Sequence, residues 1–125
     1  MKVNTLINRL AEKIVNLPQP IHIIAVCSGG RFVGKQIARF LKNKNVKVSY
    51  FEVWTNITNS KATVWKSSFK KKDYTGTALI VEDVIWTGKS INAVKKMLKT
   101  MEKKKFYIAA LLDLNNKADF SIFRV

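Results

Sequence analysis

The chain is poor in cysteine, histidine and acid. One cysteine in 125 residues, Cys27, excludes an internal disulfide and fits a reducing cytoplasm. With a single histidine, His22, and no clustering of Cys with His, a zinc-type site is excluded. Any metal should instead be oxygen-bound Mg2+. Both residues read as structural. His22 lies in an apolar stretch, and Cys27 has no histidine near it in sequence to activate its thiol. No apolar run approaches ~18 residues, so no membrane-spanning helix and no membrane partner is expected. The start, Met1-Lys2-Val3-Asn4, leads into a pattern broken by Arg9, Glu12 and Lys13, which is unlike a signal peptide. Acids number 8 against 23 Lys and Arg, giving a net charge of +15. Such a balance implies an anionic partner (nucleic acid, a polyphosphorylated small molecule or an acidic protein), or else a surface decorated throughout with lysine.

What is present describes one soluble α/β domain over residues 1–125, with 47% hydrophobic residues and no internal repeat. Residues 3–16 place Val3, Leu6, Ile7, Leu10, Ala11, Ile14 and Val15 at helical spacing, and Pro18 and Pro20 end that helix. A strand is expected over 21–26, a turn over 27–31, a helix over 32–41 and a second strand over 46–53. Residues 54–76 break the rhythm. Their weak alternation at 61–66 suggests half of a mobile hairpin, and so long an irregular segment is usually functional or disordered. A third strand follows at 77–82, a helix from about Lys89 to Lys103, a fourth strand at 106–112, and a short terminal strand around Phe120–Phe123. Strands alternating with helices imply a three-layer, mostly parallel sheet with helices on both faces.

The stretch from Thr77 to Ile91 carries most of the chemistry. An apolar run, Ala78–Val81, reads as a strand buried on both faces. Glu82 and Asp83 follow where that strand would leave the sheet, and Thr87-Gly88-Lys89-Ser90 opens a helix. Helix N-terminal amides favour a phosphate, the hydroxyls of Thr87 and Ser90 can donate to it, and the acids can accept from sugar hydroxyls. The same acids and hydroxyls would also serve as ordinary helix caps. In open parallel sheets the ligand lies beyond the carboxyl ends of the strands, where both glycine-containing turns fall, so one site is expected. The first turn has a further reading, because Gly29 to Gln36 nearly matches the phosphate loop G-x-x-x-x-G-K-[ST]. Gln36 replaces the metal-binding hydroxyl, and helical spacing starting by Val33 puts Gly34 and Lys35 inside a helix.

The run Val81-Glu82-Asp83-Val84-Ile85-Trp86-Thr87-Gly88-Lys89-Ser90 resembles the signature of the type I phosphoribosyltransferases, closest to the hypoxanthine/guanine and xanthine branch. Ser28-Gly29-Gly30-Arg31-Phe32 resembles that family's pyrophosphate loop. The resemblance implies a phosphoribosyltransferase-like fold with a much reduced hood, binding phosphoribosyl pyrophosphate with Mg2+ as cofactor and moving phosphoribose to a nucleobase. Glu82 and Asp83 would be the catalytic acids, holding the ribose hydroxyls directly or through the metal's waters. Trp86, Thr87, Gly88, Lys89 and Ser90 would cradle the 5′-phosphate. Ser28, Gly29, Gly30 and Arg31 would take the pyrophosphate, and Lys61, Lys66 and Lys70 would close over it. Trp86 stands where the purine enzymes carry an aspartate, and Ser28 where they often carry Lys or Arg. A pyrimidine-regulating, RNA-binding branch carries an aromatic residue at the Trp86 position, so a non-catalytic sensor or RNA-binding regulator is the alternative. A homodimer is expected.

Overall fold

The computed structural model describes residues 2–101 and 105–124. Helix α1 (Val3–Ile14) is followed by β1 (Ile21–Cys27), α2 (Gly30–Asn43), β2 (Val48–Thr58) and β3 (Lys61–Ser67). A single 3-10 turn, Lys71–Asp73, leads into β4 (Thr77–Ile85), α3 (Lys89–Met101), β5 (Phe106–Asp113) and β6 (Phe120–Arg124). The strands form one sheet in the order β3-β2-β1-β4-β5-β6, with only β3 antiparallel. Lys103, expected at the end of α3, lies outside the described residues.

The pleat sorts the central strands between two cores. Ile21, Ile23, Leu79 and Val81 face α1 and α2, meeting Ile7, Leu10, Ile14, Val33, Ile37 and Leu41. Ile24, Val26, Ala78 and Ile80 face the other way, meeting Ile91, Val94 and Leu98 of α3. These are the apolar positions of the helical spacing, which is why periodicity alone located all three helices. Helices therefore cover both faces, as expected. Outside β1–β5 the described residues add only α1 and β6, which meet each other: Lys13 Nζ donates to the Ser121 carbonyl at 3.0 Å.

Two boundaries differ from the sequence expectations, and one reading is settled. Helix α2 begins at Gly30, so Gly30 and Arg31 belong to a helix and the turn is only Ser28–Gly29. Gly34 is buried in that helix and Lys35 lies 5.9 Å from the Tyr50 ring, so the G-x-x-x-x-G-K run is not a phosphate loop. Strand β4 does not leave the sheet at residue 82 but continues to Ile85. It pairs with β5 through Glu82↔Ala110, Val84↔Leu112 and Ile85↔Asp113.

The largest difference is at residues 54–76, which are ordered secondary structure for most of their length. β2 and β3 form an antiparallel hairpin joined by Asn59-Ser60, with φ of 51° and 65°. Two left-handed residues in a two-residue loop match the twist of a hairpin. The half-exposed strands, with β3 on the sheet edge, leave only a weak alternation in the sequence. Phe69 is fully buried and anchors the hairpin's return, its ring 4.9 Å from Phe51 and 5.4 Å from Tyr74.

Candidate active site

Strand order reverses at β1: β2 lies to one side and β4 to the other. The carboxyl ends of β1 and β4 therefore flank the switch point, where a parallel sheet opens a crevice. The two turns expected to bind ligand meet there. A Cβ placed on Gly29 would lie 2.6 Å from Asp83 Oδ1, and one on Gly30 would collide with the Val81 carbonyl oxygen. Only glycine lets the first turn come this close to β4. The Cys27–Ser28 peptide at the start of that turn is cis.

The adjacent acids diverge. Asp83 lies beside Gly29 and its Oδ1 accepts from the Val84 amide at 2.7 Å. Glu82 instead lines a cavity of about 140 Å3 with Ile57, Val84, Trp86 and Thr87–Ser90. Burial, with a smaller contribution from the negative charge of Asp83, pushes the Glu82 carboxyl up to about 7. At neutral pH it is thus poised to donate as well as accept.

The 86–90 turn is shaped from several sides. Gly88 adopts φ +80°, conformationally natural only for glycine, and Asn92 N donates to its carbonyl at 2.9 Å to start α3. Thr87 Oγ1 accepts from the Lys89 amide at 3.3 Å. Trp86 is 70% exposed, its carbonyl held by Asn115 Nδ2 at 3.1 Å. Thr55, on β2, donates from Oγ1 to Ser90 Oγ at 3.1 Å, so the hairpin is tied to the start of α3.

Arg31 is not free to point at a ligand. Its Nε and Nη2 donate to Glu52 at 2.9 and 3.3 Å, and its guanidinium lies 5.1 Å from the Trp54 ring. Tyr50 donates to the same carboxylate at 2.8 Å. Burial opposes ionisation of Glu52, but these hydrogen bonds and Arg31's charge hold its carboxyl below the usual range. Of the three lysines assigned to a closing loop, Lys61 and Lys66 lie on β3 and Lys70 precedes the 3-10 turn. They are spread along the hairpin and its return, with Lys66 paired to Trp54 toward the carboxyl end of β2.

Asp113 went unread in the sequence, although a lone acid ending an apolar strand was its signal. Fully buried, it accepts from the amides of Asn115, Lys117 and Ala118 at 3.0, 3.2 and 2.8 Å. Burial raises its pKa, yet these amides and Arg124 outweigh it and hold the carboxyl below its ordinary value. It fixes the loop that carries Lys117, whose side chain packs beside Gly88. His22 and Cys27 are structural. His22 Nε2 accepts from the Gly76 amide at 3.1 Å, and the Cys27 thiol is buried and pushed up, first by burial and then by Glu52.

The family model for the phosphoribosyl transferase domain matches residues 1–124. The chain belongs to this family. Purine phosphoribosyltransferase from Pyrococcus horikoshii Ot3 superposes with a TM-score of 0.82 at 23% identity, over 98% of this chain and 82% of that one. Hypoxanthine phosphoribosyltransferase from Staphylococcus aureus gives 0.79 at 13%, over 98% and 72%. The Trypanosoma cruzi hypoxanthine enzyme in complex with IMP gives 0.77 at 20%, over 98% and 75%. At these identities the structural likeness is one of fold. No curated protein sequence matches the chain. As a phosphoribosyltransferase it has its crevice where the family signature falls. Among the described residues no helix is long and apolar enough to cross a membrane, and no three His, Cys, Asp or Glu gather as a metal cluster.

Proposed function

We propose that this phosphoribosyltransferase binds phosphoribosyl pyrophosphate with Mg2+ and transfers the phosphoribosyl group to a nucleobase, releasing pyrophosphate. The observation that carries the reading is the contact of Gly29 with Asp83 at the strand switch point. It joins the pyrophosphate-type turn to the ribose-phosphate turn in one crevice.

The amides of residues 86–90 and the hydroxyls of Thr87 and Ser90 hold the 5′-phosphate at the N-terminus of α3. Glu82 and Asp83 hold the ribose hydroxyls, and the amides of Ser28, Gly29 and Gly30 face the pyrophosphate. Asp83 beside the Gly29 turn, with Glu82 adjacent in sequence, would supply carboxylate oxygens of the kind Mg2+ takes alongside its own waters. When bound, that ion neutralises charge on the departing pyrophosphate. The C1′–O bond to pyrophosphate breaks as the C1′–N bond to the base forms, and the base loses its proton to solvent. Trp86 cannot serve as acid or base, so it offers the acceptor a flat face instead.

A nucleobase panel assayed for pyrophosphate release with phosphoribosyl pyrophosphate and Mg2+ tests the activity. Millimolar phosphoribosyl pyrophosphate with Mg2+ should raise the melting temperature, and Asp83→Asn should remove that shift. Unchanged melting of the wild type would overturn the reading. The exposed Trp86 beside Lys89, in a chain of charge +15, supports a second reading: an RNA-binding regulator on the same fold. That reading expects RNA affinity that falls steeply with salt and no turnover with any base. A cytoplasmic homodimer is part of the proposal, its subunit number to be read by sedimentation.

A further inference from the structure

A second recess lies apart from the crevice. It is a groove of about 740 Å3 between strand β3 and helix α3. Lys61, Lys89 and Lys96 line it and no acid does, while Val64, Ala93 and Met97 supply an apolar floor. Its volume falls within the ~300–1,000 Å3 range of small-molecule sites. One wall is the hairpin tied to Ser90 by Thr55, and Lys89 also borders the smaller cavity that holds Glu82.

We infer that this groove binds a nucleoside triphosphate as a second, regulatory ligand, distinct from the substrate of the proposed transfer reaction. Three lysines beside apolar Val64, Ala93 and Met97 complement an anion with a flat, weakly polar body. The triphosphate meets the lysines, and the base lies on Val64, Ala93 and Met97. A second copy of a chain with net charge +15 would bring further cations against those three, so charge disfavours it as the occupant. The groove is open to solvent, but its volume is that of a single small ligand, which favours a mononucleotide over a run of nucleic-acid strand. An occupant bridging β3 to α3 braces the hairpin, and through Thr55 and Ser90 it biases the 5′-phosphate turn.

The test titrates GTP, ATP and inorganic triphosphate against the full chain by calorimetry at low salt. Wild type, Lys96→Glu and Ala93→Trp are compared, since both changes lie in the groove and outside the crevice. Binding of a nucleotide should survive saturating phosphoribosyl pyrophosphate with Mg2+. It should fall about tenfold or more in each variant, the loss expected when a charge-assisted contact or its space is removed. The thermal shift by phosphoribosyl pyrophosphate should be unchanged in both. Inorganic triphosphate should bind more weakly than GTP or ATP. The inference is overturned if neither nucleotide binds, if phosphoribosyl pyrophosphate displaces it, or if neither variant weakens it. It is also overturned if triphosphate alone binds as well, if only RNA binds, or if sedimentation finds the groove sealed in a dimer that Lys96→Glu dissociates. Should phosphoribosyl pyrophosphate itself fail to bind, the transfer reading falls. The two groove variants still decide this one.

Discussion

The turns after β1 and β4 both depend on glycine, for opposite reasons. In the first, Gly29 and Gly30 have ordinary backbone angles but no room: Asp83 and the Val81 carbonyl occupy the space of a side chain. In the second, Gly88 has space, its nearest neighbour being the flexible side chain of Lys117, but its φ of +80° disfavours any side chain. One turn is fixed by what it packs against and the other by its own backbone. The first can therefore be damaged only through the fold, whereas the second can be damaged with the fold intact.

Gly30→Ala should break that contrast hardest. The added methyl meets backbone in the centre of the sheet, so the helix must shift. The helix-propensity gain of at most about 1 kcal/mol offsets only part of the cost. Urea denaturation should show a net loss at the upper end of the ~1–3 kcal/mol typical of overpacking. Gly88→Ala should cost about 1–2 kcal/mol, the left-handed penalty of a side chain. It should also reduce the thermal shift by phosphoribosyl pyrophosphate more than Gly30→Ala does, when both are compared as folded protein. Equal stability losses with equal binding losses would erase the distinction between the turns.

The acids between the turns sharpen it further through pH. Glu82, on the open side, is raised by burial and by Asp83, so the folded protein binds its proton more tightly than the unfolded chain does. Stability from this group is present at low pH and is lost as pH rises from the unfolded carboxylate value toward about 7. Glu82→Gln keeps the neutral shape at every pH. The difference in melting temperature between Glu82→Gln and wild type should therefore widen in the variant's favour from pH 5 to pH 8. A constant difference across that range would show that the carboxylate is not desolvated.

These contrasts also mark what the sequence could convey. Strands β1 and β4 and the three helices were legible because burial imposes period on the residues that fill a core: Ile21, Ile23, Leu79 and Val81 on one face, Ile24, Val26 and Ile80 on the other. The 86–90 turn was legible because its requirement is local. The hairpin was legible only in part, as a second strand and a weak half-hairpin, since its half-exposed strands β2 and β3 need little apolar alternation and its turn is Asn-Ser in place of Asn-Gly. Arg31's engagement by Glu52, 21 residues away, was not legible, because partner choice across a sheet leaves no mark at either position. Asp113 differs: its amide partners lie only two to five residues ahead, and a lone acid ending an apolar strand was its one mark.

The smallest expected effect tests whether the hairpin takes part in the second turn at all. Thr55 donates to Ser90 Oγ, which leaves the Ser90 proton available to a phosphate oxygen and fixes the direction of its hydroxyl. Thr55→Val removes that donor while keeping a β-branched side chain suited to a strand. Stability should change by about 1 kcal/mol or less, the net worth of one partly buried hydrogen bond. Affinity for phosphoribosyl pyrophosphate should fall by less than about tenfold, as expected when a hydroxyl is kept but no longer oriented. The decisive comparison is a double-mutant cycle. If Thr55 acts only through Ser90, Thr55→Val has no further effect on binding once Ser90→Ala is in place. Additive losses would mean that the hairpin meets the ligand by itself, and the second turn would then be fixed by packing just as the first one is.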